Sequence, residues 1–102
     1  MIAFEPYDPL RDPVVHLVAA ERLDVPWLRL TWDDGEMRDV DLSPWLTGSA
    51  LLQMVAAPEV FRDFEIVHDG GGIAWVNGVD FCAQALRQLA DRQLVDRMER
   101  TA

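Results

Sequence analysis

The sequence predicts a single α+β domain: a three-stranded antiparallel meander, short helical segments, a second β-hairpin and a C-terminal helix. Three observations predict it. Apolar and polar residues alternate on both sides of Asp33-Asp34-Gly35, the period of a half-buried hairpin. Two short β-favouring runs, 65–68 and 73–76, flank Asp69-Gly70-Gly71-Gly72 and repeat the device. After Asn77-Gly78 the spacing becomes helical, with Phe81, Ala85, Leu86 and Leu89 on one side.

Residues 1–13 carry Pro6, Pro9 and Pro13 among acids and read as an irregular N-terminal extension, because each proline removes a donor and restrains its predecessor. The β-favouring run 14–20 reads as a strand covered on both faces or lying at an edge, and 21–26 turns the chain. In 27–32, Leu28, Leu30 and Trp32 share one face, with Trp27, Arg29 and Thr31 on the other. Val40 and Leu42 resume the apolar set on the return strand. The apolar positions are even-numbered on both strands, so they share a face only if paired residue numbers sum to an even value. A two-residue Asp34-Gly35 turn would set Leu30 opposite Asp39. A three-residue loop with Gly35 left-handed sets Leu28 against Val40 and Arg29 against Asp39, which suits both faces.

Ser43-Pro44 has the form of a helix start, serine as cap and proline in the first turn, with Gly48 ending it. Residues 50–56 form a short helix presenting Leu51, Leu52 and Val55, and Pro58 opens a further turn through Phe61. Val60, Phe61 and Phe64 are assigned to the core. Asp80 is placed to cap the last helix, which starts near Phe81 and reaches about Met98. The domain proper spans 14–90. Beyond it the apolar pattern thins to Leu94, Val95 and Met98, so 91–102 is a helix extension or tail, expected to fray or to offer a surface to another subunit in a homo-oligomer.

The 102 residues are half hydrophobic, enough to offset the entropy of folding. No apolar run approaches the roughly 20 residues of a membrane helix. Glu5, Asp8 and Asp12 interrupt what would be the apolar stretch of a signal peptide, and Cys82 is the only cysteine. A cytoplasmic protein without membrane association is the expectation. Nine arginines face eighteen acids, a net charge of −9. Residues 1–80 hold five arginines and fifteen acids, a net of −10. Such a body repels phosphate backbones, so nucleic-acid binding by this domain alone is not expected; the charge suits a small basic protein partner, or else serves solubility alone.

The candidate sites thin out on inspection. Asp33, Asp34, Glu36, Asp39 and Asp41 spread over a hairpin tip and an outer strand face, pointing in different directions, unlike the alternate ligands of a calcium loop. His16 and His68 lack the HxH or HExxH spacing of a metal or catalytic pair. Cys82, near the start of the last helix, reads as a small buried core residue. The glycines of 70–72 lack the Lys-Ser/Thr of a P-loop, and Ser43 and Ser49 lack a hydrolase elbow. No catalytic residue, cofactor or metal is assigned. Tryptophan is the more telling residue: Trp32 belongs to the core, Trp27 shares the outer face with Arg29, and Trp45 and Trp75 sit at element ends. Tryptophan and arginine anchor protein interfaces, and a second core covered by the helices would take up these tryptophans equally well. The candidate partner-binding set is Trp27, Arg29, Asp39 and Asp41 on the hairpin's outer face, with the arginine-bearing tail around Arg87, Arg92, Arg97 and Arg100 as an additional contact. The alternative is a small-molecule or thiol-dependent site in a pocket around Cys82, Trp75 and a histidine.

The runs Leu30-Thr-Trp-Asp-Asp-Gly-Glu, Val40-Asp-Leu-Ser-Pro-Trp-Leu, Pro58-Glu-Val-Phe and Ile73-Ala-Trp-Val-Asn-Gly-Val-Asp-Phe resemble the bacterial domain-of-unknown-function family 2442 over about 14–90. Val76 stands where that family commonly has proline, and the two ends look like extensions. The resemblance implies a small α+β domain, in some members fused to a helix-turn-helix domain. It also implies a gene beside a short companion gene, as in toxin–antitoxin pairs, and thus an antitoxin-like interaction role. It carries over no catalytic residue. The matching positions Gly35, Ser43, Pro44, Asn77, Gly78 and Asp80 are turn and cap residues.

Overall fold

The computed structural model describes residues 15–101. The expected extension 1–13, together with Val14, lies outside the described residues. Strands β1 (Leu17–Arg22), β2 (Trp27–Trp32) and β3 (Met37–Asp41) form one antiparallel sheet in the order β1-β2-β3. Helices α1 (Ala50–Val55) and α2 (Pro58–Phe61) follow. Strands β4 (Phe64–Val67), β5 (Gly72–Trp75) and β6 (Asp80–Cys82) form a second sheet, and α3 (Ala83–Thr101) ends the chain. The α+β expectation holds.

The parity argument fixes the first hairpin. Leu28 pairs with Val40 and Arg29 with Asp39. Trp32 N–H donates to the Glu36 carbonyl at 2.9 Å, closing a three-residue loop in which Gly35 has φ +89°. Leu28, Leu30, Trp32 and Val40 are completely buried on the inner face. β1 is the edge strand of the two locations expected for it; a bulge between Leu17 and Ala19 turns Val18 out to 60% exposure.

α3 closes the open edge of β3. Gln93 accepts from the Asp41 N–H at 3.0 Å and donates to the Asp41 carbonyl at 2.7 Å, satisfying backbone groups that no further strand pairs. The Trp32 indole N–H donates to the Ala83 carbonyl at 3.0 Å, and the Arg87 guanidinium lies 5.3 Å from the Trp32 ring centroid. Leu86, Leu89 and Ala90 complete this side of the core. On the other side Trp75 stands among Phe61, Phe64 and Phe81, with ring centroids 5.7–6.2 Å away, and Trp45 packs on Phe81 at 4.8 Å.

Several expectations are corrected. The second sheet has three strands, not two: residues 80–82 pair with β5, so Asp80 faces Ala74 as a strand residue and α3 begins at Ala83. Ser43 is not the cap of its turn; Leu42 holds that position, and the Asp41 carboxylate accepts the Ser43 N–H at 2.9 Å. Ser49 caps α1 instead, its hydroxyl accepting from Leu52 N–H. Leu51 falls on the solvent side of that helix at 54% exposure. His68 ends β4 by entering a left-handed turn, with φ +56° at His68 and +54° at Asp69. Of the two forms expected for the end of the chain, 91–101 takes that of a helix extension, continuous with α3.

Candidate surface on the first sheet

The odd-numbered positions of β2 and β3 alternate with the fully buried Leu28, Leu30, Trp32 and Val40 and face away from the core. Trp27 and Asp41 are paired, Arg29 and Asp39 are paired, and Thr31 and Met37 follow. Trp27 is half-buried, whereas Met37 is 59% exposed. Trp27, Arg29, Met37, Arg38 and Asp39, with Arg97 reaching over from α3, line an open depression of about 580 Å³.

Arg29 and Asp39 form a two-point bridge, Nε to Oδ1 at 2.8 Å and Nη2 to Oδ2 at 3.2 Å, with Glu21 3.9 Å from the guanidinium. The hydrogen bond to Asp39, then its charge, raises the Arg29 pKa. The same bond holds the Asp39 carboxyl below the ordinary carboxylate range, with Arg97 adding a smaller effect. Both side chains are about two-fifths exposed, so the pair fixes geometry more than it adds stability. The structure thus brings Trp27, Arg29 and Asp39 together as expected. Asp41 is spoken for locally, its carboxylate on Ser43 N–H and its backbone on Gln93. Met37 and Arg97 complete the surface; Arg97 comes from the arginine-bearing tail named with it from sequence, and Met37 was not singled out. Met37 has the right strand parity, and Arg97 stands one helical turn past Gln93.

The remaining acids of the hairpin each meet a separate partner. Asp33 lies 3.5 Å from His16, Glu36 3.1 Å from Arg38, and Asp34 2.9 Å from Arg87. The Arg87 bond lowers the Asp34 pKa, and Asp34 raises that of Arg87. Among the described residues no group of three or more His, Cys, Asp or Glu side chains is placed to hold a metal ion.

Cys82 is exposed, a correction to its expected burial: in β6 it alternates with inward Phe81 and so points outward. Its sulfur lies 3.4 Å from the Ala85 N–H, in the manner of a helix cap. Trp75, its expected pocket partner, is 4% exposed and donates to the Phe61 carbonyl at 3.0 Å. His16 sits at the tip of the first hairpin and His68 in the β4–β5 turn. Trp45 is also 4% exposed, so of the four tryptophans Trp27 is the most exposed.

Fold and site together define a small domain of two antiparallel sheets whose accessible features are sheet faces and shallow depressions. A family model described as "Protein of unknown function (DUF2442)" matches residues 21–91. The chain belongs to this family. No curated protein and no solved structure matches it. No helix of the described residues is long and apolar enough to cross a membrane.

Proposed function

We propose that the chain is a non-enzymatic protein-interaction module that binds a small basic protein through the outer face of the first sheet. The observation that carries the reading is the uncovered depression around Trp27 and Met37, with Arg29 and Asp39 held in fixed orientation beside it. An aromatic and an arginine at the centre of a surface are the residue types that anchor interfaces, and the net charge of −9 favours a basic partner. The resemblance to two-gene arrangements extends this to an antitoxin-like half of a pair, in the cytoplasm. Partner affinity measured for Arg29→Glu and Asp39→Arg tests the placement. Each is expected to weaken binding about tenfold or more, on the scale of a lost interface charge pair. Unchanged affinity in both removes this surface from the account.

The exposure of Cys82 favours a second reading, a thiol-dependent activity. Labelling of native Cys82 no faster than in unfolded protein would exclude it.

A further inference from the structure

The outer face of the second sheet is also uncovered, and its chemistry differs from that of the first. In the β4–β5 register Glu65 faces Ala74, and Asp63 and Val76 lie just beyond the last pair, Phe64 and Trp75. Asp63, Glu65, Phe64, Ala74, Trp75 and Val76 line an open groove of about 350 Å³. Val76, in the turn after β5, is 76% exposed, the most exposed large apolar side chain among the described residues. The Asn77 amide donates to the Leu51 carbonyl at 3.0 Å, which brings α1 against this turn. Leu51 and Met54, three positions apart on α1, are 54% and 48% exposed. Apolar side chains gathered at such exposure mark a contact surface.

Charge identifies the occupant. Between Trp45 and Arg87 the chain has five acids and one arginine, Arg62. Asp63, Glu65 and Asp80 are exposed, and none has an ion-pair partner among the described residues. On the first hairpin, by contrast, Asp33, Asp34, Glu36 and Asp39 are each matched by a base. A second copy of this face would set like carboxylates against one another, and a nucleic acid would add phosphate to them. Asp63 immediately precedes β4 and Glu65 stands two positions on, within it; two positions of extended chain span roughly 6–7 Å. That is the spacing of same-side residues in an extended peptide.

We infer that the groove between Asp63, Glu65 and Val76 docks an extended basic segment of a protein partner, with arginine or lysine at alternate positions and an apolar side chain against Val76 and Ala74. This surface lies apart from the first-sheet face and does not require that face to bind anything.

The probe is a synthetic peptide with two arginines and one leucine at alternate positions, separated by serines. It is titrated into ¹⁵N-labelled full-length protein at low and physiological salt. Amide shifts are expected in 51–54, 63–67 and 72–77. D63N/E65Q is expected to weaken binding about tenfold at low salt, from two surface charge pairs. V76S is expected to weaken it about threefold at both salts, from lost apolar contact. R29E should leave peptide affinity unchanged. All three variants are at exposed or half-exposed positions, and far-UV circular dichroism checks that they fold. Shifts confined to β2 and β3 overturn this proposal while supporting the first-sheet surface. Shifts spread over every acidic region, V76S binding as the wild type does, or no binding at all also overturn it, and leave the first-sheet variants to decide the interaction reading on their own.

Discussion

Three of the four glycines with positive φ have different surroundings at nearly the same φ, which separates strain from packing. Gly35, Gly70 and Gly78 have φ of +89°, +91° and +92°. A Cβ added at Gly35 or Gly78 meets nothing within 4 Å. At Gly70 it would lie 2.5 Å from the Leu17 carbonyl oxygen and 3.1 Å from His16 Cβ, because the β4–β5 turn abuts the start of β1. Alanine in the left-handed region costs about 1–2 kcal/mol, partly offset by about 0.4–1 kcal/mol from stiffening the unfolded chain. Gly35→Ala and Gly78→Ala should therefore each cost about 1 kcal/mol. Gly70→Ala must also push two backbone segments apart by a good fraction of an ångström, an overpacking cost of about 1–3 kcal/mol. The expected excess is about 2 kcal/mol, or roughly 8–16 °C in Tm for a domain near 100 residues. Thermal unfolding followed by circular dichroism on the three variants reads it directly. An excess below about 0.5 kcal/mol would refute the close approach of the turn to β1.

Further outcomes follow from the same contacts. Trp32→Phe removes the buried hydrogen bond to Ala83 and leaves a void, and should cost about 3 kcal/mol in urea unfolding; a loss below about 1 kcal/mol contradicts the role given to Trp32 in seating α3. His68→Gly relieves a left-handed non-glycine residue and should raise stability by about 0.5–1 kcal/mol, whereas a lowered Tm would mean the histidine side chain holds the turn. Asp34 and Asp39 have native pKa values below their unfolded ones. Their contribution is therefore complete above the ordinary carboxylate pKa of about 4 and is lost as pH falls through the lowered native values. Tm measured against pH should fall less steeply on the acid side in D34N/D39N than in the wild type, and equal slopes would contradict these pairings.

The first hairpin was legible because its evidence is local. Parity of Leu28, Leu30, Trp32 and Val40 settles the register once Gly35 supplies the left-handed loop residue, and the same parity places Trp27, Arg29 and Asp39 on the outer face. The β6 strand was not legible. It is three residues long, and Phe81 fits both the inward position of a strand and the first position of a helical stripe. Without β6, Asp80 looks like a cap and Cys82 like a buried helix residue. The cap position at Leu42, with the Asp41 carboxylate on Ser43 N–H, was hidden by a serine-proline pair that fits the usual pattern one residue late. Trp45 and Trp75 sit at element ends, and their burial depends on Phe61, Phe64 and Phe81 arriving from distant segments. The arginine-bearing tail was named with the hairpin face from sequence, but which arginine meets it depends on α3 running along β3, held there by Gln93 and Trp32. Composition gave the acidity of the chain but not its distribution, matched on the first hairpin and unmatched on the second sheet.

The interaction reading is tested most directly by affinity capture of tagged wild-type, R29E and D39R protein from lysate of the native host, at low and at moderate salt. The account predicts a small basic protein retained in stoichiometric amount by the wild type, weakened by salt and lost from both variants. Capture of nothing by the wild type, or equal capture by all three proteins, would contradict it.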